Sequence, residues 1–284
     1  MLVSVYLPTR NRVNLLCNAV ASVLNQTYRE IELIVVNDAS TDDTIDFLQQ
    51  KSKADPRLIY FNNSTARGAP ASRNFAIAKA NGVFVTGLDD DDEFLPERIS
   101  AFVDYWMLLM NRGVRPACLF GQETWVRNGE PYLVTQRRGS VAADDLFESN
   151  LVGNHIFAPK SHYVDVGMFD ELLPAWQDMD LFIRILSRFG RAHLLDMPTY
   201  LYDHSPRTDR ISTRAISVRN AADILITKHA ANFPRKSQQL FLQAFGDHYK
   251  IRPNIVDWVR FCRWGFWPKG MFRLLRATIR HDKE

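Results

Sequence analysis

The sequence predicts an α/β fold: a Rossmann-like, mostly parallel sheet flanked by helices, with a small helical C-terminal extension. Two observations carry this. Over the first hundred residues short apolar runs alternate with stretches of helical periodicity, and after about residue 216 the signals are mainly helical. Strands that read as continuous apolar runs belong to parallel sheets covered on both faces. The ligands of such sheets bind beyond the carboxyl ends of the strands.

Residues 2–7 form a β-branched apolar run stopped by Pro8, and residues 13–24 carry apolar side chains at helical spacing. Residues 31–36 read as a second strand. Ser40-Thr-Asp-Asp43 then reads as a helix start, with Ser40 as cap and Asp43 at the positive end. Residues 57–61 give a third strand, about 70–79 a helix closed by Gly82, and 83–88 a fourth strand; another helix begins near Pro96. The region 115–215 is mixed, with strands at 118–126 and 192–197 and a helix at 180–188. The expected division is one catalytic domain over 1–215 and a helical, basic and aromatic extension over 216–284.

The 284 residues, 46% apolar and 12% aromatic, can bury one substantial core with a small appendage. Cys17, Cys118 and Cys262 lie far apart with no Cys-x-x-Cys spacing, so reduced thiols of a cytosolic protein are expected, with neither a disulfide framework nor a zinc site. No signal peptide is expected at the N-terminus, and no run of apolar residues is long enough for a membrane-spanning helix. Residues 250–284 hold nine Lys or Arg against three Asp or Glu, leaving 26 against 29 elsewhere: a basic tail on a slightly acidic body. No nucleic-acid partner is expected.

The most informative stretch is Leu88-Asp-Asp-Asp-Asp-Glu-Phe-Leu-Pro96, which sets four aspartates directly after a buried strand. Such close charges repel, and the cluster is stable only opposite something positive. Mn²⁺ or Mg²⁺ meets that requirement, because these hard ions take carboxylate oxygens and share their other positions with phosphates. A solvated acidic turn before the helix near Pro96 is the plainer reading of the same residues. An EF-hand loop opened at Asp89 would need Gly and Glu where Phe94 and Ser100 stand, so it fails. A phosphatase of the aspartyl-phosphate type fits poorly, since Glu93 occupies the place of a small hydroxylated or branched residue.

Pro8-Thr-Arg-Asn11 after strand one, Val36-Asn-Asp-Ala-Ser-Thr-Asp42 after strand two, Ala71-Ser-Arg-Asn74, and the Asp89-x-Asp91 segment stand in a familiar order. Together they resemble the family 2 glycosyltransferases, and with later segments the resemblance covers about residues 1–215. It implies the GT-A fold, with a nucleotide-sugar half over 1–115 and an acceptor half over 116–215. It also implies a nucleotide-diphosphate sugar donor, most often a UDP-sugar, with Mn²⁺ or Mg²⁺ and inversion at the anomeric carbon. The setting implied is bacterial cell-surface polysaccharide or lipopolysaccharide synthesis in the cytoplasm.

Residue by residue, Asp38 matches the acidic group that reads the nucleobase, although a helix-initiating Asp is the plainer reading. Pro8 and Thr9 match the turn that lies against the nucleoside, and Arg10 belongs to the same turn. Arg73 matches a basic residue near the donor, with Arg67 as a neighbour. Asp91 matches the ligand of a metal bridging the two phosphates, and Asp89 the group holding the ribose or the metal's water shell. Asp90 is grouped with the nucleotide-sugar set, and Asp92 stands beside it.

Val166-Gly-Met-Phe-Asp-Glu171 and then Trp176-Gln-Asp-Met-Asp-Leu-Phe-Ile-Arg184 resemble the family's acceptor-half segment. That makes Asp178 the expected catalytic base, with Gln177 where Glu is common. Trp176, Gln177, Asn154 and His155 are placed on the acceptor side. Asp178 and Asp180 also read as first-turn acids of the following helix, a role kept for Asp180. Tyr200-Leu-Tyr-Asp-His204 resembles the strand and histidine that follow in many members of the family, and His204 is a candidate metal ligand or phosphate contact, or a structural histidine. Arg207 and Arg210 are candidates to pair with the diphosphate.

The expected reaction is a direct displacement: a hydroxyl of a glycan or lipid-linked acceptor attacks the anomeric carbon while Asp178 takes its proton. A sugar nucleotidyltransferase would need a glycine-rich loop, and Pro8-Thr-Arg-Asn-Arg12 has no glycine. Against a non-catalytic carbohydrate- or partner-binding protein stand the intact Asp89-x-Asp91 and Asp178. In the tail, Arg273, Arg276 and Arg280 share one helical face and Phe272, Leu275 and Ile279 another. Trp258, Phe261, Trp264, Phe266 and Trp267 sit among Arg260, Arg263 and Lys269. The pattern suits a helix lying on an anionic membrane, peripheral on the inner face, or a helix packed on the catalytic domain with its arginines in water.

Overall fold

The computed structural model describes residues 1–205 and 215–279, so Arg207, Arg210 and Arg280 lie outside the described residues. The chain forms two compact units that interleave in sequence. The first comprises 1–143, 151–171 and 181–205, and the second 144–150, 172–180 and 206–284. The extension expected at 216–284 is therefore joined by two short segments from the middle of the chain.

The first unit holds two sheets. In one, β1 (Val3–Thr9), β2 (Ile31–Asn37), β3 (Leu58–Asn62) and β4 (Phe84–Gly87) run parallel in the order β3-β2-β1-β4, and β9 (Ala158–Pro159) pairs antiparallel to β4. Helices α1 (Val13–Leu24), α2 (Thr44–Ala54), α3 (Ala69–Lys79) and α4 (Arg98–Asn111) connect or follow these strands. Every residue of β1 and β2 is buried, which is why neither strand alternates in sequence. Pro8 is tolerated inside β1 because β4 has ended there. Leu88 N–H bonds the Tyr6 carbonyl, so the side on which Pro8 lacks a donor faces past the β4 terminus.

The other sheet has the order β5-β10-β6-β7, from β5 (Glu93–Phe94), β6 (Cys118–Arg127), β7 (Glu130–Val134) and β10 (Ala192–Asp203), with β8 (Ser140–Val141) paired to β10. The sequence ends one strand at Met197 and the resemblance places another from Tyr200; the two are the single strand β10, which continues to Asp203. Register shifts around Pro198 absorb the missing donor. Shorter helices α5 (Ala143–Leu146) and α6 (Lys160–Asp165) and the longer α7 (Gln177–Phe189) follow the sheet strands.

Helix α2 begins at Thr44, not at Ser40. Ser40 Oγ instead accepts from Asn11 N–H (2.9 Å), Asn11 Oδ1 accepts from Thr41 N–H (2.7 Å), and Asp42 accepts from Val13 N–H (3.0 Å). The loops after β1 and β2 are thus tied to each other, and Asp42 also holds the start of α2 by accepting from Thr44 N–H (3.2 Å) and Thr44 Oγ1 (2.6 Å). Gly82 does not cap α3 either; Ala80 closes it in extended conformation. A Cβ at Gly82 would collide with Ser4, because this turn passes against the start of β1.

That turn is held by Glu32. Its carboxylate is nearly buried and accepts from Ser4 Oγ (2.5 Å), Asn81 N–H (2.6 Å), Asn81 Nδ2 (3.1 Å) and Gly82 N–H (3.2 Å). Burial raises its pKa, but these hydrogen bonds outweigh burial and hold it below the ordinary carboxylate range.

The second unit is helical: α8 (Ala215–Leu225) continued by a π-type turn (Ile226–Ala230), α9 (Pro234–Gln243), α10 (Ile255–Arg263) and α11 (Pro268–Thr278). Asn254 and Asp257 cap α10 reciprocally, and Asp257 pairs with Arg219 (2.8 Å). The tail aromatics expected at a membrane divide here. Phe261 and Trp267 are core, ring against ring, with Gly270 packed under Trp267, and Trp258 Nε1 donates to Thr278 Oγ1 (3.2 Å). Phe266 stays 80% exposed.

Glu32→Gln should cost about 1–3 kcal/mol at neutral pH, since an amide cannot accept from all four donors. A carboxylate with a lowered folded pKa stabilises above its unfolded value of about 4.3, and that stabilisation is lost as pH falls through the folded value. Urea midpoints should therefore differ between the two proteins at neutral pH and converge in acid. A difference that persists in acid would show that the charge is irrelevant.

Candidate functional site

The four aspartates follow Leu88 at the carboxyl end of β4, beside the ends of β1 and β2, where parallel sheets bind ligands. Their side chains point to different tasks. Asp90 is buried and accepts from Thr9 Oγ1 (2.8 Å) and Arg12 Nη1 (2.9 Å). Burial raises its pKa, with Arg12 and Thr9 opposing the rise. Asp92 is buried and accepts from the Tyr200 hydroxyl (2.6 Å) and Asp203 N–H (2.8 Å). Burial first, then the charges of Asp91 and Asp89, push its pKa well above the ordinary range. Asp89 and Asp91 are only partly buried. Asp89 meets Arg73 Nη2 at 2.8 Å and His155 Nε2 at 3.4 Å, and Asp91 lies 3.6 Å from Arg12. Burial would raise the Asp89 pKa, but His155 and Arg73 outweigh it and hold the carboxyl far below its usual range.

Asp89, Asp91 and Asp92 each present an oxygen within 4.8 Å of the other two, and among the described residues they form the one such group of metal-ligating side chains. Oxygens around a single Mg²⁺-sized ion lie about 3–4 Å apart, so a small inward movement would suffice. The donor set is all carboxylate, as hard cations prefer. These residues fit a divalent ion, with Asp89 and Asp91 reachable and Asp92 behind them. Asp92, left at the margin by the sequence, belongs to the group.

Beneath the row lies a buried layer that sequence reasoning missed. Tyr6 from β1 and Tyr200 from β10 flank His155, at ring distances of 5.9 Å each. His155, expected on the acceptor side, instead backs Asp89. Gly87 makes room for it: a Cβ there would overlap the Tyr6 ring and the His155 imidazole. Arg98 is buried among the rings of Phe94, Phe102 and Tyr200 (4.7–4.9 Å) and donates to Thr199 Oγ1 (2.9 Å). Burial pulls its pKa down to about 10. Arg12 is the other omission, although it stands one residue past the Pro8–Asn11 motif.

Asp38 does not initiate a helix. It accepts from Asn63 Nδ2, Arg67 N–H and Gly68 N–H, each at 2.8 Å, and so clamps the loop between β3 and α3. Burial raises its pKa, but these bonds and Arg10 outweigh it and keep the group ionised. Two of the bonds fall on Oδ1 and one on Oδ2, which leaves Oδ2 a lone pair for another donor. Asn74 meets the backbone of Phe169 in both directions (2.8 Å each), and Arg73 lies over the Phe169 ring. The Ala71–Asn74 and Val166–Glu171 motifs are thereby joined. Arg10 is exposed, Arg67 half-exposed, and Pro8 buried in β1.

His204 is not in the carboxylate group. Its ring lies 5.0 Å from Trp125 and 6.1 Å from Tyr132, with the Tyr132 hydroxyl 2.5 Å from Nδ1. Asn154 is partly buried. In the second unit Asp178 is partly buried in the first turn of α7, and Asn150 Nδ2 lies 3.4 Å from it. Trp176 is held at φ 58°, in the left-handed region, and its Nε1 donates to the Tyr249 hydroxyl (2.6 Å). Such a conformation costs of order 1–3 kcal/mol and persists only where surroundings impose it. Burial and the Asp178 charge push Tyr249 up to about 12, against the Trp176 bond. Gln177 bonds the Leu173 carbonyl (3.1 Å). Asp180 is fully buried between Lys228 and His229, both at 2.8 Å, a structural ion cluster.

Known proteins share this sequence family and this fold. The family model for glycosyl transferase family 2 matches residues 4–156. WcaA of Escherichia coli K12, named for colanic acid biosynthesis, is 32% identical over 264 residues, covering 90% of each chain. The GalNAc(5)-diNAcBac-PP-undecaprenol beta-1,3-glucosyltransferase of Campylobacter jejuni is 42% identical over 101 residues, 35% of this chain and 33% of that protein. Among solved structures, TarS of S. aureus in complex with UDP-GlcNAc has the same fold, with a TM-score of 0.69 at 18% identity, over 98% of this chain and 82% of that one.

Gly87→Ala should destabilise the protein by about 1–3 kcal/mol through overpacking beneath the carboxylates, read as a lower urea midpoint. An unchanged midpoint would mean that Tyr6 and His155 do not occupy that layer.

Proposed function

The chain belongs to glycosyl transferase family 2, and from that membership we propose that it moves one sugar from a UDP-linked donor to a hydroxyl of a glycan or lipid-linked acceptor, with inversion, in bacterial polysaccharide synthesis. The observation that carries the reading is the grouping of Asp89, Asp91 and Asp92 at the strand ends, faced by Arg12 and Arg73. The relatives named for colanic acid and for an undecaprenol-linked glycan support the acceptor class, and TarS with UDP-GlcNAc supports the uridine carrier.

In this reading Asp38 keeps one acceptor position for the base N–H. Thr9, Arg10 and Arg73 border the nucleotide, and Asp90 sets Thr9 and Arg12 in place. Asp89 and Asp91 would hold Mn²⁺ or Mg²⁺, which when bound neutralises charge on the leaving diphosphate. Asp178 takes the proton of the attacking hydroxyl. The strained Trp176 backbone and the buried Asp180 cluster orient the turn that carries it.

We also assign the exposed tail to an anionic membrane surface on the cytoplasmic side, where a lipid-linked acceptor would lie. Ile255, Val256 and Val259 are exposed along α10, and Phe272, Leu275 and Ile279 along α11, with Arg263 and Arg276 among them. Since Phe261 and Trp267 are core, single substitutions rather than truncation test the assignment.

Purified protein incubated with UDP-, GDP- and dTDP-sugars should release free nucleotide in a Mn²⁺-dependent manner. Asp91→Asn should abolish this. Asp178→Asn should lower kcat for transfer by roughly 10²–10⁴-fold while UDP affinity stays close to that of the unmodified protein. If no donor is turned over, or chelator leaves the rate intact, the reading fails; if Asp178→Asn weakens UDP binding and spares kcat, its role is misassigned.

Vesicles containing phosphatidylglycerol should co-sediment the full-length protein at low salt, less so as screening shortens the reach of the charges. Phe272→Glu and Ile279→Glu should each reduce pelleting without lowering the melting temperature. Unchanged pelleting in both would remove the tail as the anchor.

A further inference from the structure

Tyr200 is the inner end of a row. Along β10 the side chains of Tyr200, Tyr202 and His204 fall on one face, and the ladder continues past the strand because His204 N–H bonds the Val126 carbonyl (2.7 Å). The first of them holds Asp92 through its hydroxyl, so the row starts at the carboxylate group and runs outward for roughly 13 Å, four strand residues. Trp125 stands directly beside Tyr202 in the β6–β10 register, with ring centres 5.8 Å apart. Tyr132, from β7, lies 6.4 Å from Trp125 and 6.1 Å from His204, and Arg127 caps the Tyr132 ring at 4.9 Å.

This cluster does more than hold its hairpin together. Every residue of β7 is exposed, Tyr132 at 46%, and Trp125, Tyr202 and His204 are all partly accessible. Aromatic faces at a surface, rimmed by a phenol hydroxyl, an imidazole and a guanidinium, suit one class of ligand particularly well. A pyranose ring has a C–H face that packs on electron-rich aromatic faces and an edge of hydroxyls that need donors and acceptors.

We propose that the strip from Tyr202 to Tyr132, with Trp125 at its centre, binds sugar rings of the acceptor glycan and leads its end toward the carboxylate group. The proposal rests on the transferase reading for its direction, but sugar binding itself does not depend on turnover. His204 then serves as an edge contact for sugar hydroxyls rather than as a metal ligand. Depth of the strip, not the donor pocket, sets how many acceptor units are gripped.

Labelled full-length protein applied to an immobilised panel of short oligosaccharides ending in glucose, galactose, mannose or N-acetylglucosamine tests this. The unmodified protein should bind at least one member. Trp125→Ala and Tyr132→Ala should each weaken that binding by about tenfold or more, the usual weight of a central aromatic anchor, whereas Trp125→Phe should keep most of it. Melting temperatures of the three variants report whether the hairpin still folds; a loss in Trp125→Ala that Trp125→Phe does not rescue counts against a stacking role. No binding to any member, binding unaffected by both alanine variants, or displacement of the glycan by free uridine would overturn the proposal. UDP with Mn²⁺, titrated separately into the unmodified protein, tests the donor reading. Failure there with glycan binding intact would sink the transferase reading and leave the strip standing.

Discussion

Repulsion among Asp89, Asp90, Asp91 and Asp92 has to be absorbed within a few ångströms of the end of β4, and the first unit is arranged around that demand. Two of the four carboxylates are turned inward and satisfied by the protein itself, Asp90 by Thr9 and Arg12, Asp92 by Tyr200 and Asp203. The other two remain toward solvent, where Arg73 and Arg12 offset part of their charge. Each solution recruits a different element: strand β1 supplies Thr9, helix α3 supplies Arg73, and strand β10 supplies Tyr200. The acidic row therefore acts as a junction between the two sheets of the unit. Arg98, buried among three rings with Tyr200 as one of them, extends the same junction into the core.

A second constraint is that the loops beyond β1, β2 and β3 must stay in register with one another for any ligand to meet them together. They do so by side chains that imitate backbone. Asn11 and Ser40 bond across the first two loops, Asp38 holds the third, and Asn74 pairs with Phe169 as one peptide group would with another. Several residues that a motif reading treats as ligand contacts thus have a mechanical task that is already complete in the protein alone. The two tasks coexist where geometry leaves an acceptor position over, as at Asp38 Oδ2.

The fold class was legible because β1, β2 and β4 are buried along their whole length, which writes mostly apolar runs, broken only by single polar residues such as Ser4, Glu32 and Thr86, into the sequence. The continuation of β10 was not, since Pro198 breaks the pattern and only the neighbouring strand shows how bulges bridge it. The carboxylate row was legible as a local string of like charges. Its partners were not, because Arg12, His155 and Tyr200 lie between roughly 65 and 110 residues from it, and no periodicity links residues so far apart. The tail shows the limit most clearly. Its exposed helical face at Phe272, Leu275 and Ile279 followed from spacing, whereas the burial of Phe261 and Trp267 depends on helices packed against them.

The interleaving of the two units has a consequence for how the protein is made. Asp178 leaves the ribosome soon after the carboxylate row, yet the groups around its turn, Lys228, His229 and Tyr249, are translated later and belong to the same unit. Until they arrive, Asp180 lacks Lys228 and His229 beside it, and its burial is less favourable. A nascent chain therefore assembles the strand ends before it can set the residue assigned as base. Synthesis order alone delays the setting of this turn until the C-terminal helices have emerged.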